Sequence, residues 1–115
     1  LVGGAGRDRL NGGSSADYLT GGTASDILTG GEGDDKFLFA SGSGRDTITD
    51  FSTSDDQIGI NAPGIDSFSD LTIQNHANGD ARISWQDGSG DLAVVTLLDV
   101  NASSLSSEDF FFVAR

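Results

Sequence analysis

The stretch of residues 3–38 reads GGAGRDRLN GGSSADYLT GGTASDILT GGEGDDKFL, and it decides the fold of this chain. It consists of four consecutive units of nine residues. Each unit opens with Gly-Gly and carries an Asp at its sixth position and a large apolar residue at its eighth. The acids are Asp8, Asp17, Asp26 and Asp35, and the apolar residues are Leu10, Leu19, Leu28 and Phe37. A fixed period of this kind indicates a repeat architecture.

Each unit has room for one glycine-rich turn and one strand of three residues. Glycine suits the turn because it adopts positive φ without a steric penalty. Strand side chains alternate between two faces, so the eighth residue of each unit points inward and its neighbours point outward. Two units form one coil, with strands in two opposed sheets. The sequence therefore predicts an all-β fold, a parallel β-roll, whose apolar residues form an interior ladder.

The same geometry stacks the acids. Turns on one side belong to alternate units, so Asp8 stacks on Asp26 and Asp17 stacks on Asp35. Adjacent strands lie ~4.8 Å apart, and two carboxylates at that distance repel by roughly 3 kcal/mol at an effective dielectric constant of about 20. A divalent cation between the turns reverses the sign of this interaction. Ca²⁺ fits best, because the turns offer carboxylate and carbonyl oxygens without a rigid octahedral arrangement.

The composition supports a cation-binding module and disfavours several other classes of protein. The chain has 115 residues and a net charge of −12, from 18 acids and 6 bases, so it repels nucleic acid and anionic membrane surfaces. It contains no Cys, which excludes disulfides and thiolate metal sites. No apolar run is long enough to span a bilayer. We therefore expect no nucleic-acid partner and no membrane span.

The units GGAGRDRLN and GGEGDDKFL match the pattern GGxGxDxUx, in which U is a large apolar residue. The chain therefore resembles the RTX (repeats-in-toxin) proteins, whose nonapeptides form calcium-binding β-rolls. Units two and three depart from the pattern at the fourth position, where Ser15 and Ala24 replace Gly. The family uses the backbone carbonyl there, so the substitutions weaken the turn without removing a ligand. The resemblance implies Ca²⁺ as the cofactor, with two to three or more ions bound.

The resemblance also implies which residues hold each ion. The earlier turn gives the carbonyls of its second and fourth residues and its Asp, and the later turn gives the carbonyls of its first and third residues and its Asp. The first site would comprise Gly4, Gly6, Asp8, Gly21, Thr23 and Asp26. The second site would comprise Gly13, Ser15, Asp17, Gly30, Glu32 and Asp35. A third site would use Gly22, Ala24, Asp26 and Asp46.

A displaced fifth unit follows the four regular ones. The sequence SGSGRDTIT at residues 41–49 keeps Asp46 and Ile48 in phase after a two-residue insertion, and it supplies the last acid of the third site. The next residues, ending at Phe51, resemble the segment that closes the roll in RTX proteins, where Asp50 would either add a ligand or act as a cap. We therefore divide the chain into the roll at residues 1–51 and a β-rich C-terminal cap at residues 52–115.

The cap has longer strands than the roll. We predict strands at residues 57–60, 71–75, 81–85, 92–98 and 110–113, with short helical turns at 66–70 and 101–109 and a hairpin turn at Asn78-Gly79. This segment resembles the C-terminal flanking region of RTX modules in secreted metalloproteases. Its expected role is to cover the open end of the roll, because an uncovered sheet edge promotes aggregation.

No catalytic constellation stands out in the sequence. The single His, His76, is expected in an exposed loop, and calcium explains the regular Asp spacing better than a general acid–base pair does. Trp85 is expected to pack in or on the sheet of the cap, and Tyr18 to lie on the outer face of the roll. We therefore predict that this chain is not itself an enzyme, and we assign no substrate-binding residues.

The combined interpretation is a calcium-binding RTX module that folds on binding Ca²⁺ outside the cell. Leu1-Val2 matches the end of a unit, so we expect a larger protein with an upstream domain. The resemblance implies a secreted, extracellular bacterial protein that is exported by the type I secretion machinery, whose signal would include the apolar run at 110–112. The alternative is a polysaccharide-binding module, as in mannuronan C-5-epimerases, which act on alginate. Its candidate residues are Arg7, Arg9, Lys36 and Arg45.

Overall fold

The computed structural model describes residues 2–4, 6–40, 44–53, 55–62, 65, 67–76, 79–86 and 92–112. The described part contains ten strands and three short 3-10 helices. The strands are β1 (Arg9–Asn11), β2 (Tyr18–Thr20), β3 (Ile27–Thr29), β4 (Lys36–Ala40), β5 (Arg45–Ile48), β6 (Gln57–Asn61), β7 (Thr72–His76), β8 (Asp80–Gln86), β9 (Leu92–Leu97) and β10 (Phe110–Phe112). The 3-10 helices are Phe68–Asp70, Ala102–Ser104 and Ser107–Asp109. None of these helices is long and apolar enough to cross a membrane.

The first strands form the predicted roll. β1, β3 and β5 pair in parallel in one sheet, which we call sheet one, and β2, β4 and β6 pair in parallel in sheet two. The register places Leu10 opposite Leu28 and Leu28 opposite Ile48. Leu19 lies opposite Phe37 in the other sheet. Each unit therefore pairs with the second unit after it, as the nine-residue period predicts, and the displaced fifth unit keeps this register.

The apolar residue of each unit points between the two sheets. Leu19, Leu28, Phe37 and Ile48 are fully buried. Complete burial of a side chain of this size contributes about 1.5–3 kcal/mol. Leu10 is only half-buried because β1 lies at the edge of sheet one and has a neighbour on one side only. The predicted interior ladder is therefore confirmed.

The tail continues both sheets of the roll. Sheet one has the order β1-β3-β5-β9-β8-β7. In it β9 is parallel to β5, β8 is antiparallel to β9, and β7 is antiparallel to β8. Sheet two has the order β2-β4-β6-β10, and β10 is parallel to β6. Hydrogen bonding thus runs without interruption from the repeats into the tail. The division at residues 51 and 52 into separate units stays a prediction.

One aromatic pair packs the tail against the roll, and a second pair lies within the tail. The ring centroids of Phe39 and Trp85 lie 6.2 Å apart in an edge-on arrangement, and Trp85 is 2% exposed. Within the tail, the ring centroids of Phe68 and Phe110 lie 5.3 Å apart. Such pairs contribute about 0.5–1.5 kcal/mol beyond their buried area. Trp85 therefore belongs to the core, as expected for a side chain that packs on the sheet of the cap.

The predicted tail strands differ from the observed ones only near their ends. β7 extends by one residue to His76, which lies opposite Asp80 in the hairpin with β8. The expectation of a loop position for His76 is thus wrong, because cross-strand pairing carries the strand past Asn75. Gly79 has the positive φ of a turn residue, whereas Asn78 and residues 87–91 lie outside the described part of the chain.

Candidate metal centre

The turns of the repeats share one backbone conformation. In every unit the second and fourth residues have positive φ wherever the structure describes them. The angles are 88° at Gly4 and at Gly6, 85° at Gly13, 75° at Ser15, 87° at Gly22, 70° at Ala24, 85° at Gly31, 98° at Gly33 and 75° at Gly44. These positions carry the carbonyls that the resemblance assigns as ligands. Ser15 and Ala24 adopt the left-handed conformation despite their Cβ atoms, at a cost of about 1 kcal/mol or more each.

The ladder acids form two rows of hydrogen bonds. We call the turns that carry Asp8, Asp26 and Asp46 the odd row. In that row the backbone N–H of Asp8 donates to Oδ1 of Asp26 at 2.8 Å, and the N–H of Asp26 donates to Oδ1 of Asp46 at 2.8 Å. The structure thus confirms the stacking of Asp8 and Asp26 that the period predicts, and it places Asp46 next in the row.

The turns on the opposite side, which we call the even row, carry Asp17, Asp35 and one acid that sequence reasoning missed. The N–H of Asp17 donates to Oδ1 of Asp35 at 2.9 Å, and the N–H of Asp35 donates to Oδ1 of Asp56 at 2.9 Å. Asp56 follows Asp35 by 21 residues instead of 18, so the period does not find it. The signal is local: Asp56 stands two residues before the buried Ile58, as Asp35 stands two residues before Phe37.

One oxygen of each repeat acid is buried and has no hydrogen-bond partner. These atoms are Oδ2 of Asp8, Asp17, Asp26, Asp35 and Asp46. A buried polar atom without a partner costs about 1–3 kcal/mol, and more when it carries charge. A native protein does not keep several such atoms side by side unless a ligand satisfies them. The donor set, buried carboxylate oxygens beside carbonyls, therefore fits a hard divalent cation such as Ca²⁺.

Carbonyl oxygens of the next turn lie near the orphaned oxygens of Asp8 and Asp17. A Cβ atom at Gly3 would lie 2.7 Å from Oδ2 of Asp8 and 2.7 Å from the carbonyl oxygen of Gly21. A Cβ atom at Gly12 would lie at the same distances from Oδ2 of Asp17 and the carbonyl of Gly30. The first Gly of each pair is therefore required for close approach, since any side chain would fill the space where the oxygens converge.

Burial and mutual repulsion disfavour the charged acids in the absence of a cation. Burial raises the pKa of Asp46 to about 7, against a hydrogen bond from the Asp26 amide that lowers it, and the Asp26 charge raises it further. Burial likewise raises the pKa of Asp26 and of Asp35 above the usual range. Hydrogen bonds from the amides of Asp8 and Asp17 oppose this shift, and nearby carboxylate charges add to it. A bound cation removes this penalty, because it stabilises the ionised form.

The residues of the three predicted sites come together in space to different degrees. The turns of the first and second sites stack closely: a Cβ at Gly22 would contact the carbonyl oxygen of Gly4, and the N–H of Glu32 donates to the carbonyl of Gly13 at 3.0 Å. In the third site a Cβ at Gly44 would lie 3.0 Å from the carbonyl of Ala24. Residues 41–43 of that upper turn lie outside the described part of the chain. The ligand assignments stay predictions.

Each of these sites would combine two carboxylates with backbone carbonyls. Among the residues that the structure describes, no three Asp, Glu or His side chains converge on one point. Carbonyl-rich coordination of this kind suits Ca²⁺, which takes six to eight oxygen ligands, and it does not suit a metal that needs imidazole or thiolate ligands.

The four basic residues of the alternative function do not form one surface. Arg7, Arg9 and Arg45 line a groove of about 540 Å³ on the outer face of sheet one, together with Asp8, Ser25, Asp26, Ile27 and Thr47. Lys36 instead lies on sheet two, where its Nζ is 5.9 Å from the ring centroid of Tyr18. Even-numbered and odd-numbered units face opposite sides, so a base in unit four cannot join bases in units one and five.

Comparisons with known proteins agree with this geometry. The family model of the RTX calcium-binding nonapeptide repeat matches residues 2–37 and 12–48, in four copies. The solution structure of the AlgE6R2 subunit of the Azotobacter vinelandii mannuronan C5-epimerase is similar, with a TM-score of 0.77 and 30% identity over 97% of this chain and 80% of that chain. The AlgE6R3 subunit of the same epimerase gives a TM-score of 0.72 and 29% identity over 96% and 70%.

A third similar structure is the extracellular lipase LipA from Serratia marcescens. It has a TM-score of 0.67 and 25% identity over 96% of this chain, which spans 20% of that lipase chain. No curated protein sequence gives a match. The period, the stacked acids, the family model and the identity to an R-module lead to one conclusion: the chain belongs to the RTX family of calcium-binding nonapeptide-repeat proteins, as an all-β parallel β-roll that takes several Ca²⁺ ions.

Proposed function

We propose that this module folds when it binds Ca²⁺ outside the cell, and that it thereby supports the secretion and stability of a larger protein. The observation that carries the proposal is the set of five buried Asp oxygens without hydrogen-bond partners in the repeat turns. Their cost falls on the folded, metal-free state alone, because water solvates the same carboxylates in the unfolded chain. The folded roll is therefore the state that gains most from the cation.

The chain's own residues act as a scaffold for the ion. Glycines at the first positions leave space, and residues with positive φ shape the turns. Amide donors hold one oxygen of Asp26 and one oxygen of Asp35. Bound Ca²⁺ supplies positive charge between the stacked acids. Binding to the folded state alone stabilises it by linkage, and extracellular modules bind Ca²⁺ at about 10⁻⁴–10⁻³ M. Where free Ca²⁺ is scarcer than this, the roll stays unfolded, which suits passage through a secretion channel.

Circular dichroism with a calcium titration tests this function. In EGTA we expect loss of β-structure from the roll, and millimolar Ca²⁺ should restore it cooperatively. Mg²⁺ at the same concentration is the matched control and should restore little, because it demands a tighter octahedral site. Identical spectra in EGTA and in Ca²⁺ would refute calcium-driven folding.

The proposed cellular setting is extracellular, after export by a type I secretion system. It is supported by the similarity to an extracellular lipase and to epimerase subunits. In this setting the chain is a non-catalytic part of a larger protein, and residues 52–115 cap the roll at residues 1–51. Expression of the chain as a C-terminal fusion to a reporter, in cells with and without a type I system, tests export. Equal amounts of reporter in the culture medium of the two kinds of cells would count against export by the type I system.

The arginine groove supports a second candidate, the binding of an acidic polysaccharide. Arg9 in β1 and Arg45 in β5 lie on one outer face with β3 between their strands, so the strands are about 10 Å apart. Arg9 is level with Thr47, two residues after Arg45. Arginine pairs well with carboxylates, so a linear polyuronate lying across the strands would meet successive charges. Titration with alginate and with a neutral polysaccharide in saturating Ca²⁺ checks this. Binding of alginate that Arg9→Ala and Arg45→Ala leave unchanged would remove the groove from consideration.

A further inference from the structure

The two outer faces of the roll carry opposite charges. On sheet one, Arg7, Arg9 and Arg45 are exposed and line the arginine groove of about 540 Å³. On sheet two, a second groove of about 350 Å³ is lined mainly by carboxylates, and we call it the acidic groove. Its exposed acids are Asp34, Asp55 and Glu108, and its buried acids are Asp56 and Asp109. The chain therefore presents a basic face and an acidic face on opposite sides of the roll.

The charges of the arginine groove are spread over three neighbouring strands. Arg9 in β1 lies opposite Ile27 in β3, and Ile27 lies opposite Thr47 in β5. Arg45 stands two residues before Thr47, and Arg7 stands two residues before Arg9. Because neighbouring strands are ~4.8 Å apart, the positive charges span about 10 Å across the sheet. Ile27, which is 37% exposed, gives the groove an apolar floor between them.

The exposed acids of the acidic groove have a matching spread. The strands β4 and β6 begin at paired residues, and Asp34 and Asp55 stand two residues before these starts. Glu108 stands two residues before β10, which pairs with the other side of β6. The three negative charges thus lie at the beginnings of three neighbouring parallel strands and also span about 10 Å. Their number and their spread match those of the arginines.

Neither set of charges is neutralised within the part of the chain that the structure describes. No ion pair in that part involves the six exposed charges of the two grooves. Lys36, the base of the acidic groove, lies over the ring of Tyr18, with its Nζ 5.9 Å from the ring centroid. A single exposed ion pair contributes only about 0–1 kcal/mol. Arginine and carboxylate can form two parallel hydrogen bonds, so three matched pairs together make a specific contact.

We propose that the arginine groove of one copy of this chain docks on the acidic groove of a second copy. Because the two grooves lie on opposite sheets, the contact is head to tail, and each copy keeps one groove free for a further copy. The acids of sheet two distinguish this partner from the acidic polysaccharide of the second candidate function, which would give them no role. The inference goes beyond the proposed function and rests on it in one respect, since the grooves require a folded roll.

The net charge of −12 opposes this association unless Ca²⁺ is bound. Whole molecules of like charge repel, and bound Ca²⁺ lowers the negative charge of each copy. At about 0.1 M salt the Debye length is about 10 Å, so the long-range repulsion is screened while ion pairs in contact persist. At about 1 M salt it falls to about 3 Å, which weakens exposed ion pairs as well. We therefore expect association in Ca²⁺ at the lower salt concentration and dissociation at the higher one.

Sedimentation velocity over a concentration series tests the contact on the wild-type chain. In saturating Ca²⁺ at the lower salt concentration, the average sedimentation coefficient should rise with protein concentration, and the higher salt concentration should abolish the rise. A chain that is folded by circular dichroism but stays monomeric at every concentration would overturn the proposal, and so would association that the higher salt leaves unchanged. A chain that does not fold in Ca²⁺ would contradict the proposed function instead, so the two failures are distinct.

Two complementary variants test which grooves meet. Arg9→Gln with Arg45→Gln neutralises most of the arginine groove, and Asp55→Asn with Glu108→Gln neutralises most of the acidic groove. Each variant alone should associate about tenfold more weakly than the wild-type chain, or weaker still, because every contact loses two of its three arginine–carboxylate pairs. An equimolar mixture should form one-to-one dimers and nothing larger. Each dimer joins the intact acidic groove of the first variant to the intact arginine groove of the second.

Asp99→Asn is the matched control for the loss of an acid. Asp99 is exposed and lines neither groove. Its φ is 60°, and Asn tolerates this left-handed conformation as Asp does. The control variant should therefore associate like the wild-type chain. Absence of dimers in the mixture, or association of either double variant alone at the wild-type strength, would overturn the proposal.

Discussion

The repeats and the tail bury their acids in different ways. In the repeats, Asp26, Asp35 and Asp46 each keep a buried oxygen without a partner. In the tail, Asp80 accepts a hydrogen bond from the N–H of Asp99 at 2.8 Å, and Asp109 accepts one from Ser106 at 2.9 Å. The tail thus satisfies its buried carboxylates with its own backbone, whereas the repeats leave them for a cation. We therefore expect the repeats, and not the tail, to depend on calcium for folding.

The largest expected effect on calcium binding comes from removing an acid that two sites share. Asp26 stands between Asp8 and Asp46 in the odd row, so Asp26→Ala removes ligands from two predicted sites at once. We expect the midpoint of the calcium titration to rise at least tenfold, about 1.4 kcal/mol or more. Asp8→Ala, at the end of the row, serves one site and is the control. Equal calcium numbers in the two variants would rule out the sharing.

Core truncations in the two regions should respond differently to calcium. Leu28→Ala in the roll and Ile83→Ala in the tail each remove a fully buried side chain, at about 2–5 kcal/mol. Urea unfolding, monitored through the fluorescence of Trp85, the single Trp, measures the stability of both variants. Leu28→Ala should destabilise the calcium-loaded protein and change little in EGTA, because under the proposed function the roll is unfolded there. Ile83→Ala should destabilise the protein in both conditions. Equal losses of stability in EGTA would show that the two residues belong to one cooperative unit and would contradict this prediction.

A smaller, stabilising effect is expected when the backbone strain of one irregular turn is removed. Ala24→Gly removes a Cβ from a residue with φ of 70°, so it should stabilise the calcium-loaded roll by about 1 kcal/mol. Gly6→Ala, which introduces the same strain at the equivalent position of the first unit, is the matched control and should destabilise it by a similar amount. Thermal unfolding in Ca²⁺ measures both. A lower melting temperature for Ala24→Gly would show that the Ala side chain makes a contact that matters more than strain.

The smallest expected effect concerns pH. Burial raises the pKa of Asp46 from its ordinary value of 3.8 to about 7 in the folded, metal-free roll. A raised carboxyl pKa means that the folded state binds the proton more tightly, so this group's penalty is complete above about pH 7 and diminishes as the pH falls toward 4. Residual structure in metal-free buffer should therefore increase from pH 8 to pH 5, while calcium affinity decreases because protons compete. Residual structure that decreases on acidification would contradict this sign.

The sequence predicts the repeats in more detail than the tail because one period fixes many positions at once. Once Leu10 and Leu19 are assigned to opposite sheets, the strands and stacked acids of the other regular units follow. The parallel pairing of β9 with β5 and of β10 with β6 has no such rule, since it depends on packing between distant segments. Asp56 was missed for a related reason: an insertion shifts it out of period, and only its distance to Ile58 preserves the pattern.

Hydrogen exchange, resolved by residue with and without Ca²⁺, tests most directly whether the repeats fold only around the ion. The amides of Asp8 and Asp26, which donate to ladder carboxylates, should be protected in Ca²⁺ and exchange at the rate of an unfolded chain in EGTA. The amides of Ile83 and Val95 in the β8–β9 pair should stay protected in both conditions. Protection of Asp8 and Asp26 that persists in EGTA would contradict the account.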